Sequence, residues 1–211
     1  MAVAEHQWQR ATDLWSEVES TIAKLTDNVD VYNILVHNAA PFPTSLFGRE
    51  SVDRLYATHV QRLYEDPLSS LMNGPIRKKL GIIPDNVKWG GQSGNVFKYQ
   101  SIDFMKTVIG DVSKLLNFGL KVVVYQGQLD MICDTPGAEI WISKLDWEGI
   151  KDFQVASRKP LYPNLKTRNT GAFVKSFKNL ELYYILKAGH MVPSDNGEMA
   201  LEMVRRVLAG Q

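Results

Sequence analysis

Two residues in this sequence combine a useful chemical pairing with a suggestive setting. Asp130 ends Tyr125-Gln-Gly-Gln-Leu-Asp130, just past the β-branched run Lys121-Val-Val-Val-Tyr125. His190 lies in Ala188-Gly-His-Met-Val-Pro193, just past Leu180-Glu-Leu-Tyr-Tyr-Ile-Leu186. A carboxylate that accepts a hydrogen bond from one imidazole nitrogen fixes the tautomer and leaves the other nitrogen free to act as a base. Gly127 and Gly189 let the backbone turn sharply where each run ends. On spacing alone a plainer explanation is also open: an Asp after Gly is a common turn former, and a lone His near a strand end is commonly structural.

Such a pair works only if the surrounding elements deliver it. Residues 4–26 read as an amphipathic helix, with Trp8, Ala11, Trp15, Val18, Ile22 and Leu25 on the face expected to pack. Residues 29–36 are a short apolar stretch. Residues 40–66 are irregular, a candidate mobile insert with a helical run at 51–64. Pro67 can open a further helix, which Gly74-Pro75 interrupts before Ile76 to Leu80 resume it. From residue 102 the pattern becomes α/β: a helix over 102–116 with Gly119 as its C-cap, a buried strand at 121–125, and a short helix at 137–145. A hairpin-like region (153–162, then 171–177), a strand at 180–186 and a helix at about 195–208 follow. In open α/β sheets functional loops lie beyond the carboxyl ends of strands, and the segments 126–135 and 187–195 both qualify.

Bulk properties exclude several classes. The 211 residues are 45% hydrophobic with a formal net charge of +1. That supports a packed core and gives no field to attract nucleic acid or an anionic membrane. No apolar run approaches the ~20 residues of a membrane span. The opening MAVAEHQWQR lacks the apolar segment of a signal peptide. Cys133 is the only cysteine, so there is no internal disulfide. No internal repeat and no low-complexity tract is present.

The wording of two segments goes further than their spacing. Tyr125-Gln-Gly-Gln-Leu-Asp-Met-Ile-Cys-Asp-Thr-Pro-Gly-Ala-Glu-Ile-Trp141 resembles the acid-bearing segment of serine carboxypeptidases. Ala188-Gly-His-Met-Val-Pro-Ser-Asp-Asn-Gly-Glu-Met-Ala-Leu201 resembles their histidine-bearing segment, at about the family's interval. The stretch from Glu65 to Trp89 and Ala172-Phe-Val-Lys-Ser-Phe-Lys-Asn-Leu180 also look like family segments, and the likeness runs from about Gln9 to the C-terminus. The acid precedes the histidine, as in α/β-hydrolases. The resemblance implies the C-terminal portion of an α/β-hydrolase fold, with residues 1–66 a helical cap-like region and 67–211 the C-terminal part of the hydrolase domain. It makes Asp130 the triad acid and His190 the general base. It places Met191 and Cys133 beside the scissile bond of a peptide substrate, although read by itself Cys133 is a small, commonly buried hydrophobe. It implies a secreted or lysosomal setting, with no cofactor and no metal.

The same resemblance leaves a gap. No Gly-x-Ser-x-Gly elbow occurs in these residues. Gly91-Gln-Ser93-Gly94-Asn95 comes nearest, but its second glycine stands one place early and no buried strand precedes it. The chain is therefore expected to be inactive alone. One partner would be an N-terminal carboxypeptidase chain carrying the serine; self-association would be another way to cover an open sheet edge. The alternative is a pseudoenzyme acting as a binding protein.

Overall fold

A computed structural model describes residues 2–37, 67–90, 94–163 and 169–210; the 51–64 helical run and Ser93 lie outside them. The first helix, α1 (Trp8–Leu25), forms as the periodicity predicts but turns a different face inward. Ala11, Thr12, Ser16, Glu19, Ser20 and Ala23 are buried, while Leu14, Val18 and Leu25 are exposed. The reason lies in the hydroxyls. Thr12 Oγ1 donates to the Trp8 and Ser101 carbonyls (3.2 and 3.1 Å), and Ser20 Oγ donates to the Ser16 carbonyl at 2.8 Å. A small hydroxyl whose bond is made can be buried at little cost.

The chain forms two compact units, residues 1–24 with 42–106 and residues 25–41 with 107–211. In the first, α2 (Pro67–Leu71) runs through a π-helical turn at Met72–Ile76 into α3 (Arg77–Leu80). Pro75 sits inside that turn, so the expected interruption is a widened turn that accommodates proline's missing N–H. Gly81 ends it with a positive φ of 65°, and the Arg77 guanidinium donates to the Pro84 and Val87 carbonyls. Helix α4 (Gly94–Gln100) follows. The helix expected over 102–116 begins only at Ile109, as α5 (Ile109–Asn117). Phe104 instead packs on Trp15 of its own unit, with centroids 4.9 Å apart.

The second unit holds the sheet. Its elements are β1 (Val122–Gly127), α6 (Thr135–Ile142), α7 (Ile150–Val155), β2 (Lys159–Leu161), β3 (Ala172–Phe177), β4 (Leu180–Ile185), α8 (Val192–Asp195) and α9 (Gly197–Ala209). Strand order is β1-β4-β3-β2, with β1 parallel to β4 and the rest antiparallel. Residues 153–155, read as part of a hairpin, close α7, because Phe153 is buried on the helical side of the sheet. Gly119 behaves as expected: its φ is +78°, and Leu120 N–H reaches back to the Leu115 carbonyl at 3.1 Å.

All six residues of β4 are buried, and the period of two sends all but Glu181 to two apolar cores. Tyr183 and Ile185 join Val192, Met199, Ala200 and Met203 of α8 and α9. Leu180, Leu182 and Tyr184 join Leu116, Ile142, Trp147 and Phe153 on the opposite face. Each such side chain contributes about 1.5–3 kcal/mol of burial energy. This layering holds the carboxyl ends of β1 and β4 side by side, which is what the candidate site requires.

Candidate active site

Because β1 and β4 are parallel neighbours, with Gly127 opposite Ile185, the loops that leave them emerge together. Gln128 N–H donates to the Ile185 carbonyl and Leu129 N–H to the Ala188 carbonyl (2.9 and 2.8 Å), stitching one loop to the other. Asp130 and His190, sixty residues apart in sequence, meet there, with Nδ1 of the ring 2.8 Å from the Asp130 Oδ2.

The two carboxylate oxygens of Asp130 have different duties. Oδ1 accepts from the Ile132 and Cys133 backbone N–H groups at 2.9 and 3.1 Å, so the loop itself fixes the acid. Oδ2 faces the imidazole. The Asp130 side chain is 2% exposed, whereas that of His190 is 34% exposed. A pinned, buried acid that accepts from Nδ1–H leaves Nε2 as the basic atom of a half-open ring. This is the orientation a general base needs. The Tyr32 ring packs against the imidazole (5.1 Å, 57° between planes), and the Tyr32 carbonyl accepts from His190 N–H at 2.7 Å.

The other two expected residues lie beside this pair. Met191 follows His190 at the N-cap of α8 and is exposed. Cys133 is exposed, and its donor sulfur lies with those of Asp130 and His190 in a group whose members are all within 4.8 Å of one another. Such a sulfur, nitrogen and oxygen set resembles a zinc donor set, but coordination through Nδ1 would break the Asp130–His190 bond. Desolvation first, then the charges of Asp130 and Asp134, push the Cys133 thiol above its ordinary range. Reactive thiolates are shifted the other way, which argues against Cys133 as a substitute nucleophile. Asp134 caps α6, its side chain accepting from Gly137 N–H at 2.7 Å.

A family model described as serine carboxypeptidase matches residues 1–210. The chain belongs to the serine carboxypeptidase family. It is 51% identical over 209 residues to the retinoid-inducible serine carboxypeptidase of Rattus norvegicus, covering 98% of this chain and 46% of that protein. It is 41% identical to serine carboxypeptidase-like 51 of Arabidopsis thaliana, covering 93% of this chain and 45% of that protein. The chain thus spans less than half the length of these curated relatives. A solved structure with a similar fold is Kex1Δp, a prohormone-processing carboxypeptidase from Saccharomyces cerevisiae. Its TM-score is 0.64 at 22% identity, over 86% of this chain and 36% of that one. Among the described residues, no helix of this serine carboxypeptidase relative is long and apolar enough to cross a membrane.

Sequence reading missed the surroundings of the dyad. Tyr32 and Asn33 lie in what reads only as a short apolar stretch, and nothing local in that stretch signals contact with residues 129–131 and 188–195. Asp195 sits inside the histidine-bearing segment, where nothing local sets it apart from a helix-capping acid.

Proposed function

We propose that this chain carries the acid–base half of a serine-type carboxypeptidase that removes C-terminal residues from peptides. In this reading Asp130 orients His190. Nε2 takes the proton of a serine hydroxyl as that oxygen attacks the scissile carbonyl, then returns it to the leaving amine. Met191 and Cys133 line the pocket next to the scissile bond. The serine and the oxyanion donors are supplied by a Ser-bearing polypeptide of the same family, and the chain is hydrolytically silent without it. A secretory or lysosomal compartment goes with that reading.

The observation that carries the proposal is the 2.8 Å Asp130–His190 contact, with the second carboxylate oxygen already held by two backbone donors. Among the described strands β1 pairs on one side alone, with β4, and an unpaired edge of this composition supports the partner.

The test uses the chain alone, then with the Ser-bearing half of a related carboxypeptidase. Alone, it should neither react with a serine-directed phosphonate nor hydrolyse an N-terminally blocked dipeptide at acid or neutral pH. With the complementing half, turnover should appear and fall on the order of 10⁴-fold or more in His190→Gln. Labelling of any serine in the isolated chain would sink the proposal. Peptide binding without turnover in the complemented pair would favour a binding protein.

A further inference from the structure

Tyr32, Asn33 and Asp195 take no part in the proton transfer described above, yet they converge on the backbone that carries His190. Three segments are stacked there almost in backbone contact. A Cβ on Gly127 would meet the Gly189 carbonyl oxygen at 2.1 Å, and a Cβ on Gly189 would meet the Tyr32 carbonyl oxygen at 2.1 Å. Only glycine allows two successive approaches this close. The outermost segment, residues 29–37, bonds to both loops. Ile34 N–H donates to the Leu129 carbonyl (3.0 Å), Met131 N–H to the Val31 carbonyl (3.0 Å) and His190 N–H to the Tyr32 carbonyl (2.7 Å).

This strap is itself well determined. Tyr32 N–H donates to Asp30 Oδ1 at 2.8 Å, Asp30 N–H donates to the Val36 carbonyl at 2.8 Å, and Val29 bridges His37. The Asn33 amide has one orientation that satisfies both its ends: Oδ1 accepts from Leu35 N–H at 3.1 Å while Nδ2 donates to Asp195 Oδ2 at 3.1 Å. That same oxygen of Asp195 accepts from Gly189 N–H at 2.7 Å. One carboxylate oxygen therefore ties the Gly189 N–H to the strap, while the strap's Tyr32 carbonyl holds the next N–H along, that of His190.

We propose that Asn33 and Asp195 are positioning residues for His190: they clamp the Gly189–His190 backbone against the strap so that Nδ1 stays on Asp130. The carbonyls of Ala188 and Met191 on either side are held by the Leu129, Ser194 and Asp195 N–H groups, and the Gly189 and His190 N–H groups between them are held by Asp195 and the strap. Charge-assisted bonds to a backbone N–H are well suited to that task. The inference rests on reading Asp130 and His190 as a working pair, but it is tested without turnover.

The measurement is proton and nitrogen NMR of the full chain, following the low-field Nδ1–H resonance of His190, assigned by its loss in His190→Gln. In Asp195→Ala that proton should exchange with solvent about 10- to 100-fold faster, or disappear, while cooperative unfolding persists. Asp195→Asn keeps an oxygen acceptor for both donors and should restore the resonance. Asn33→Ala should weaken it in the same direction. An unchanged resonance in both Asp195→Ala and Asn33→Ala overturns the clamp, as does failure of Asp195→Asn to restore it. If Asp195→Ala does not fold, Asn33→Ala decides. Absence of the resonance from the unmodified chain overturns dyad and clamp together.

Discussion

At one edge of the sheet, β2 presents three residues, Lys159-Pro160-Leu161; at the other, β1 presents six, Val122-Val-Val-Tyr-Gln-Gly127. The first is a defended edge: it is short, it carries a charge, and its central residue has no N–H to offer another strand. The second has neither proline nor charge. Val122 and Gln128 donate towards β4, to the Asn179 and Ile185 carbonyls at 2.8 and 2.9 Å. Donors alternate sides along a strand, so the N–H groups of Val123 and Tyr125 point away from β4. Among the described strands nothing pairs with them. β1 thus has the composition of an interior parallel strand at an edge position, which fits the proposal that a further family segment pairs there.

The largest expected effects test how far β1 differs from its neighbour β4. Leu182→Ala, at a fully buried β4 position, should cost about 2–5 kcal/mol in denaturant unfolding. Val123→Ala, half-buried in β1, should cost about 1 kcal/mol. Equal costs would mean that β1 is covered in solution. Next comes the end of β1. Gly127→Ala drives a methyl into the Gly189 carbonyl and should cost about 3 kcal/mol, the upper end of ordinary overpacking. Gly197→Ala, which meets nothing within 4 Å, is the control, and equal stability of the two variants would contradict the stacked loops.

A sharper effect on assembly is expected from Val123→Pro, which removes an outward donor together with the valine side chain, so that Val123→Ala is its control. Val123→Pro should abolish pairing with a Ser-bearing partner, or with a second copy, in sedimentation at several concentrations. Replacing Pro160 in β2 with Thr should leave assembly unchanged, and if both behaved alike the contrast between the edges would be lost.

The smallest effects are in pH. Near the β2 edge, Glu139 accepts from Tyr184 Oη at 2.6 Å and from Arg158 at 2.7 Å. Desolvation pushes the Glu139 carboxyl up, but the bonds from Tyr184 and Arg158 and the charges of Arg158 and Lys175 outweigh it, leaving it below the ordinary range. A depressed carboxyl contributes stability that is present above the unfolded value near ~4.3 and is lost as pH falls through the folded one. Glu139→Gln should therefore flatten the acid limb of the stability curve slightly. Desolvation and the bonds to Glu181 and Glu139 push Tyr183 and Tyr184 above the ordinary phenol range. Their contribution holds below about pH 10 and fades as pH rises above it. Tyr184→Phe should flatten the alkaline limb, as followed by urea midpoints across pH.

Legibility followed the range of the interactions concerned. The β-branched run of β1, the apolar run of β4 and the Gly119 cap were readable because each depends on a few adjacent residues. The buried face of α1, the start of α5 at Ile109 and the helical 153–155 turn were not, because tertiary packing overrode local periodicity. At the site, Asp130 and His190 were readable from extended motifs, while Tyr32, Asn33 and Asp195 became visible as a unit only once the strap lay across both loops.

By itself, the sequence determined which two runs become β1 and β4, which glycines lie near their ends and which acid and histidine follow them, since these are short-range patterns of period and residue type. The parallel pairing of β1 with β4 decided that Asp130 and His190 stand 2.8 Å apart. That is a long-range closure, and no local pattern encodes it. Among the described strands it also left β1, rather than β4, at the edge of the sheet, the feature that separates the two edges.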